Sequence, residues 1–240
     1  MRTLSLIVPV YNAPALVRTL LGRVPELERA AAACGFRLVE TILVDDGSAP
    51  PLEAGLGGGL PPGVVVLRNA VNRGKGYSVR RGALAAAGAW ALMSDVDLSA
   101  PLGEFAKLAA ACDAWMVCGS RAGRPGMPLR RRILSRVFQA VVRLAGVKGV
   151  KDTQCGFKLF RMDVMRAVFE EQKIERFAFD VELIRRVQAA GGEIKEIPVV
   201  WHGGNSSSLR ILRDAPRMLW DLVRIGPCRA RSRGRTPAGR

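Results

Sequence analysis

The chain has 240 residues, 49% of them hydrophobic, which suits one α/β domain with a substantial core and excludes a wholly disordered protein. Its formal charge of +16 at pH 7 points to nucleic acid, an anionic membrane surface or phosphorylated substrates. Two tyrosines, 6% aromatic content and no basic–aromatic recognition module exclude nucleic acid from that list, and a single histidine excludes a His-rich metal site.

In chain order, Leu4–Val10 reads as a buried strand and Pro14–Cys34 as a helix with proline in its first turn. Val39–Val44 reads as a second strand ending at Asp45-Asp46-Gly47-Ser48, and the Pro/Gly-rich stretch Ala49–Gly63 as a surface loop. Val64–Arg68 follows as a third strand, Lys75–Ala87 as a helix, and Trp90–Ser94 as a fourth strand closing at Asp95. This alternation predicts an open, mostly parallel sheet with helices on both faces. Further on, Pro128–Val147 sets apolar residues at helical spacing opposite Arg132, Arg136 and Arg143, and Ala215–Ile225 sets Met218, Leu219 and Leu222 opposite Arg213, Arg217 and Arg224. Both read as amphipathic helices, suited to packing on the domain or to lying on a membrane surface. The expected division is a catalytic domain over 1–212 that includes the helix at about 128–147, an amphipathic helix over 213–226, and a basic tail over 227–240.

Five cysteines without a CxxC pair suit a reducing compartment. No apolar run reaches the roughly 18 residues of a membrane span. The apolar run Leu4–Val10, preceded only by Arg2 and broken by Pro9, is no signal peptide. The expected location is therefore the cytoplasm, with membrane contact made peripherally at the cytoplasmic face.

The acidic residues fall at strand ends, where ligands bind in sheets of this kind. Asp95-Val96-Asp97 offers two carboxylates spaced to face one divalent cation, which could bridge a diphosphate and neutralise its departure. Asp45 and Asp46 form an Asp/Gly turn whose acids can also accept hydrogen bonds from a base or ribose. Asn72-Arg73-Gly74-Lys75-Gly76 offers flexible backbone and cations to phosphate, without the spacing of a P-loop or a GxGxxG fingerprint.

Together, Val8-Pro-Val-Tyr-Asn12, Leu43-Val-Asp-Asp-Gly-Ser48, Asn72-Arg-Gly-Lys-Gly76 and Asp95-Val-Asp97 resemble the inverting GT-A glycosyltransferases of family 2. Gly119-Ser-Arg121, Asp152-Thr-Gln-Cys-Gly-Phe-Lys-Leu-Phe160 and Glu175-Arg-Phe-Ala-Phe-Asp-Val-Glu182 are similar to segments of dolichyl-phosphate β-glucosyltransferases, whose mannose synthase relatives share the plan. The resemblance implies a GT-A fold with C-terminal amphipathic interface helices. It implies a nucleotide diphosphate sugar as donor and a polyprenyl phosphate in the membrane as acceptor, and it admits a membrane-protein partner. By the same resemblance, Pro9, Tyr11 and Asp45, with Asp46 and Lys75, would bind the nucleotide, and Asp95 and Asp97 would hold Mg²⁺ or Mn²⁺. Arg121 and Arg136 would meet phosphates, and Gln154, Lys158 and Asp180 would lie near sugar and acceptor, making Asp97, Arg121, Arg136 and Asp180 the catalytic group. Ala13 stands where many relatives carry Glu, and Ser99 where a stronger metal ligand can stand. UDP-glucose is the favoured donor. The alternatives are transfer from GDP-mannose, transfer to a non-lipid acceptor, and nucleotide-sugar binding without turnover.

Overall fold

The computed structural model describes residues 1–56, 59–121, 139–140, 142–143 and 146–202. Seven strands form one sheet: β1 (Arg2–Val10), β2 (Phe36–Asp45), β3 (Val64–Arg68), β4 (Trp90–Ser94), β5 (Met116–Ser120), β6 (Phe157–Arg161) and β7 (Ile194–Pro198). Their spatial order is β3-β2-β1-β4-β6-β5-β7. All neighbours pair in parallel except at β6, which runs antiparallel to both β4 and β5. The helices are α1 (Pro14–Ala33), α2 (Leu52–Leu56), α3 (Lys75–Ala85), α4 (Phe105–Ala109), α5 (Met162–Glu170) and α6 (Phe179–Ala189).

Helices cover both faces, so the central strands are apolar on both sides rather than alternating apolar with polar. On β1, Leu4, Leu6, Val8 and Val10 enter the core beneath α1 and α4, while Ile7 enters the opposite core with α3, α5 and α6. The same period of two divides Leu92 from Met93 on β4 and Val117 from Cys118 on β5. Leu4, Leu6, Ile7 and Val8 are fully buried, each contributing roughly 1.5–3 kcal/mol of burial free energy. Lys158 is the exception to this apolar pattern. It stands on β6 in register with Met93 of β4 and Cys118 of β5, fully buried on the α3/α6 side.

The first four strands and their helices lie where the sequence predicts. One difference is α2, inside the predicted Ala49–Gly63 loop. The Asp45 carboxylate accepts the Leu52 N–H at 3.1 Å, and the Leu52 side chain is buried, so a side-chain anchor starts a helix too short to show a period. Within the predicted helix at 128–147, residues 139–140 and 142–143 are helical and Val142 is buried. Residues 146–147 lie beyond the helix, Gly146 in a turn, and 128–138, 141 and 144–145, together with 213–226 and the tail, lie outside the described residues. Among the described residues no helix is long and apolar enough to cross a membrane.

Candidate active site

The carboxyl ends of β1, β2 and β4 converge on one rim, and most of the singled-out residues meet there. At the end of β2, Asp45 is in register with Val10 on one side and Arg68 on the other. Its buried carboxylate accepts the Ser48 N–H (2.9 Å), the Leu52 N–H and the Arg68 guanidinium. Burial alone would raise its pKa, but these bonds outweigh that and hold the carboxyl below its ordinary value. Asp46 is turned the other way. Its oxygens accept Asn69 Nδ2 at 2.8 Å, the Arg73 N–H at 3.0 Å and the Gly74 N–H at 2.8 Å. The two acids of one turn thus fix two further loops.

Asn12 ties the β1 end to the same turn. Its N–H donates to Ser48 Oγ and its Oδ1 accepts the Ala49 N–H, both at 2.9 Å, with Asn12 itself at φ 51°. Gly47, at φ 75°, admits no side chain, since a Cβ there would lie 2.6 Å from the Val71 carbonyl carbon. Pro9 is half-buried in β1, and Tyr11, 52% exposed, stands at the rim with its ring open to a ligand.

At the end of β4, Asp95 Oδ1 lies 2.5 Å from Lys75 Nζ, at the first position of α3. Its N–H donates to the Gly156 carbonyl at 3.1 Å, and its Oδ2 rests on Gly156, where a Cβ would sit 1.8 Å away. Asp97 is exposed and accepts the Ser99 N–H at 3.0 Å. The His202 N–H donates to the Ser99 carbonyl at 2.7 Å, so the exposed His202 is tied to this loop through its backbone.

Behind this pair lies a second. Asp180, in the first turn of α6, is 2.7 Å from Lys158 Nζ, and both are buried. Lys158 also donates to the Cys155 carbonyl. Burial disfavours the ammonium, but Asp180 outweighs it, so Lys158 is held charged with its pKa raised. Lys158, Asp180, Lys75 and Asp95 form a line of alternating charge from the core to the rim. Cys118 and Cys155, beside Lys158, have thiols pushed up by burial to about 12 and about 11, and so pack as inert apolar groups.

Arg121, at the end of β5, meets Asp152 through two parallel guanidinium bonds of 2.7 and 2.6 Å, and its N–H bonds the same carboxylate at 2.9 Å. Burial favours neutral Asp152, but the guanidinium outweighs it and keeps the carboxyl low. Arg121 also lies over the Trp201 ring at 5.3 Å. Gln154 reaches the Phe177 carbonyl at 3.5 Å. Arg136 lies outside the described residues.

Sequence reasoning singled out no role for Arg68, Asn69, Asp152, Gly156 or Glu182. Glu182 accepts the N–H groups of Lys173 and Ile174 and so shapes the 172–176 turn that packs on Gly74 and Gly76. Its signal was available: Glu182 closes the Glu175–Glu182 motif, and Asp152 opens the Asp152–Phe160 motif. A cavity of about 430 Å³ lies elsewhere, at the start of β4, lined by Trp90, Arg161, Met162 and Arg166, and borders none of the singled-out site residues.

An open sheet with acids at adjoining strand ends and a lysine at a helix start gathers carboxylates and a cation on the rim where sheets of this kind bind ligands. Residues 5–169 match the model of Glycosyl transferase family 2, and the chain belongs to that family. Within it, the chain is 33% identical to the dolichyl-phosphate beta-glucosyltransferase of Dictyostelium discoideum, over 92% of this chain and 73% of that one. It is 34% identical to the Drosophila melanogaster enzyme of the same name (86% and 69%) and 31% identical to the human one (83% and 67%). In fold it is similar to glucosyl-3-phosphoglycerate synthase from Mycobacterium tuberculosis, crystallised with Mn²⁺, UDP-glucose and glycerol 3-phosphate. That match has a TM-score of 0.67 at 16% identity and covers 93% of this chain and 78% of that one.

Proposed function

We propose that this glycosyltransferase moves glucose from UDP-glucose to a polyprenyl phosphate of the dolichyl type, inverting the anomeric centre to give a β-linked lipid-phosphate sugar. The observation that carries this reading is the contact of Gly156 with Asp95. It lays the Asp152–Phe160 segment, which resembles that of lipid-phosphate enzymes, directly on the acid suited to hold the donor. The relatives named above support glucose and dolichyl phosphate over GDP-mannose or a non-lipid acceptor.

The donor set suits a hard divalent ion. Asp95 and Asp97 are carboxylates at one strand end, and a cation, Lys75 Nζ, already rests on Asp95 Oδ1. Asp95 and Asp97 would hold Mg²⁺ or Mn²⁺, which when bound offsets the charge of the leaving nucleoside diphosphate. A phosphate acceptor needs no general base from the enzyme. A phosphate monoester, with a second pKa of about 6, is already mostly dianionic at neutral pH and can attack without giving up a proton. Asp180, tied to Lys158, is then a structural anion and not a general base. What the chain must supply is positioning and positive charge for two phosphates, from Lys75, Arg121 and Arg136. Tyr11 and the Asp45 turn receive the base and ribose, Asp45 and Asp46 acting through the loops they brace. The acceptor's head group is met at the cytoplasmic surface of the membrane, where the basic amphipathic segments suit anionic lipid.

Purified protein, Mg²⁺ or Mn²⁺, and a panel of labelled UDP- and GDP-sugars, with and without polyprenyl phosphate, test this. Organic-phase label is expected from UDP-glucose only when the lipid phosphate is present. Label transferred to free sugars without lipid phosphate would overturn the proposal.

A further inference from the structure

The Asp95 carboxylate is closed in on two sides. Gly156 bounds Oδ2, with no room for a methyl group, and Lys75 Nζ holds Oδ1 at 2.5 Å. The lysine itself has little freedom at its Cα. Its neighbours Gly74 and Gly76 are pressed against the 174–179 turn, where added Cβ atoms would lie 2.6 Å from the Glu175 carbonyl oxygen and from Phe179 Cβ. The Gly74 N–H is further held by Asp46. Asp180, the other acid near Lys75, is already matched by Lys158. Lys75 is paired with Asp95 and Lys158 with Asp180, so these two pairs carry no excess negative charge with which to hold a divalent ion tightly against a resident ammonium.

We infer that Lys75 is the built-in counter-cation of Asp95 and makes metal binding conditional on the donor's diphosphate. Without diphosphate, the ammonium occupies the oxygen a divalent ion needs. A diphosphate offers that ammonium other oxygens within reach of a flexible side chain, and frees Asp95 for the ion. Ion and nucleotide then tighten one another by the same factor, since such coupling is reciprocal. This rests on the reading of Asp95 and Asp97 as the metal carboxylates. It deepens that reading by assigning to Lys75 a positioning and ordering role.

The test is titration of Mn²⁺, followed by the loss of its free-ion EPR signal, with the wild type, Lys75→Ala and Lys75→Arg, each with and without UDP. The wild type is expected to bind Mn²⁺ alone weakly and at least tenfold tighter with UDP. Lys75→Ala should bind Mn²⁺ alone at least tenfold tighter than the wild type and lose most of the enhancement by UDP. Lys75→Arg, which keeps the charge, should behave as the wild type, and circular-dichroism melting establishes that each variant is folded. If UDP enhances binding to the wild type but Lys75→Ala binds Mn²⁺ alone no tighter, the role given to Lys75 is overturned while the metal reading stands. If the wild type takes up no Mn²⁺ even with UDP, the metal reading fails and this inference with it.

Discussion

Gly156→Ala puts the join between the two halves of the site under direct strain. A Cβ at this position would lie 1.8 Å from Asp95 Oδ2, 2.3 Å from its Cγ and 2.7 Å from Oδ1, whereas ordinary contact begins at 3.4 Å. The carboxylate, or the β6 entry, must therefore move by about 1.6 Å. The backbone bond from Asp95 to the Gly156 carbonyl resists movement of the strand, and the Lys75 ion pair resists movement of the side chain. Overpacking of this kind costs roughly 1–3 kcal/mol of stability. The larger effect is on chemistry, because misplacing a reacting-site group by about 1 Å can cost about 10²-fold in rate. The assay is kcat and KM for UDP-glucose at saturating polyprenyl phosphate, beside a thermal melt. The expected result is a folded enzyme with kcat/KM lowered about 10²-fold. A variant with wild-type kcat/KM would refute the claim that Gly156 sets Asp95.

Asp97→Asn, at an exposed carboxylate bonded only to the Ser99 N–H among the contacts described, should lower metal-dependent turnover about 10²-fold or more while the melting temperature hardly moves; unchanged turnover would remove Asp97 from the site. Asp180→Ala leaves Lys158 charged and buried, and urea denaturation should record a loss of about 3–5 kcal/mol. The double variant Lys158→Met/Asp180→Leu should recover most of that, and a loss of less than 1 kcal/mol in Asp180→Ala would contradict the pairing. Asp45 is held below its ordinary pKa in the folded chain, so its contribution to stability is complete above about pH 4 and is lost as the pH falls through the depressed native value. Asp45→Asn should flatten the acid limb of stability against pH, and an acid limb identical to that of the wild type would contradict the assignment.

Much of this was legible in the sequence because the first half repeats one physical signal. Continuous apolar runs such as Leu4–Val10 and Trp90–Ser94 must be buried on both faces, and the acids that follow them must then fall on one rim. Beyond Asp97, apart from the two amphipathic helices, the sequence offers motifs without elements. β7, Ile194–Pro198, is half-buried up to Ile197, exposed at Pro198 and carries no alternation, and β6 sits inside a motif that reads as chemistry. Nothing local marks β6 as antiparallel. Its direction follows from pairing with β4 and β5, and those contacts are distant in sequence. The partnership of Arg121 with Asp152 and the burial of Lys158 were hidden for the same reason: a charged residue's partner belongs to the folded chain, not to its neighbours in sequence.

The most direct measurement of the central claim compares two acceptors that differ only at the head group, polyprenyl phosphate and the corresponding free polyprenol, with labelled UDP-glucose and Mn²⁺. The account predicts transfer to the phosphate alone, because a phosphate dianion attacks without giving up a proton whereas an alcohol must lose one. Comparable transfer to the polyprenol would contradict it.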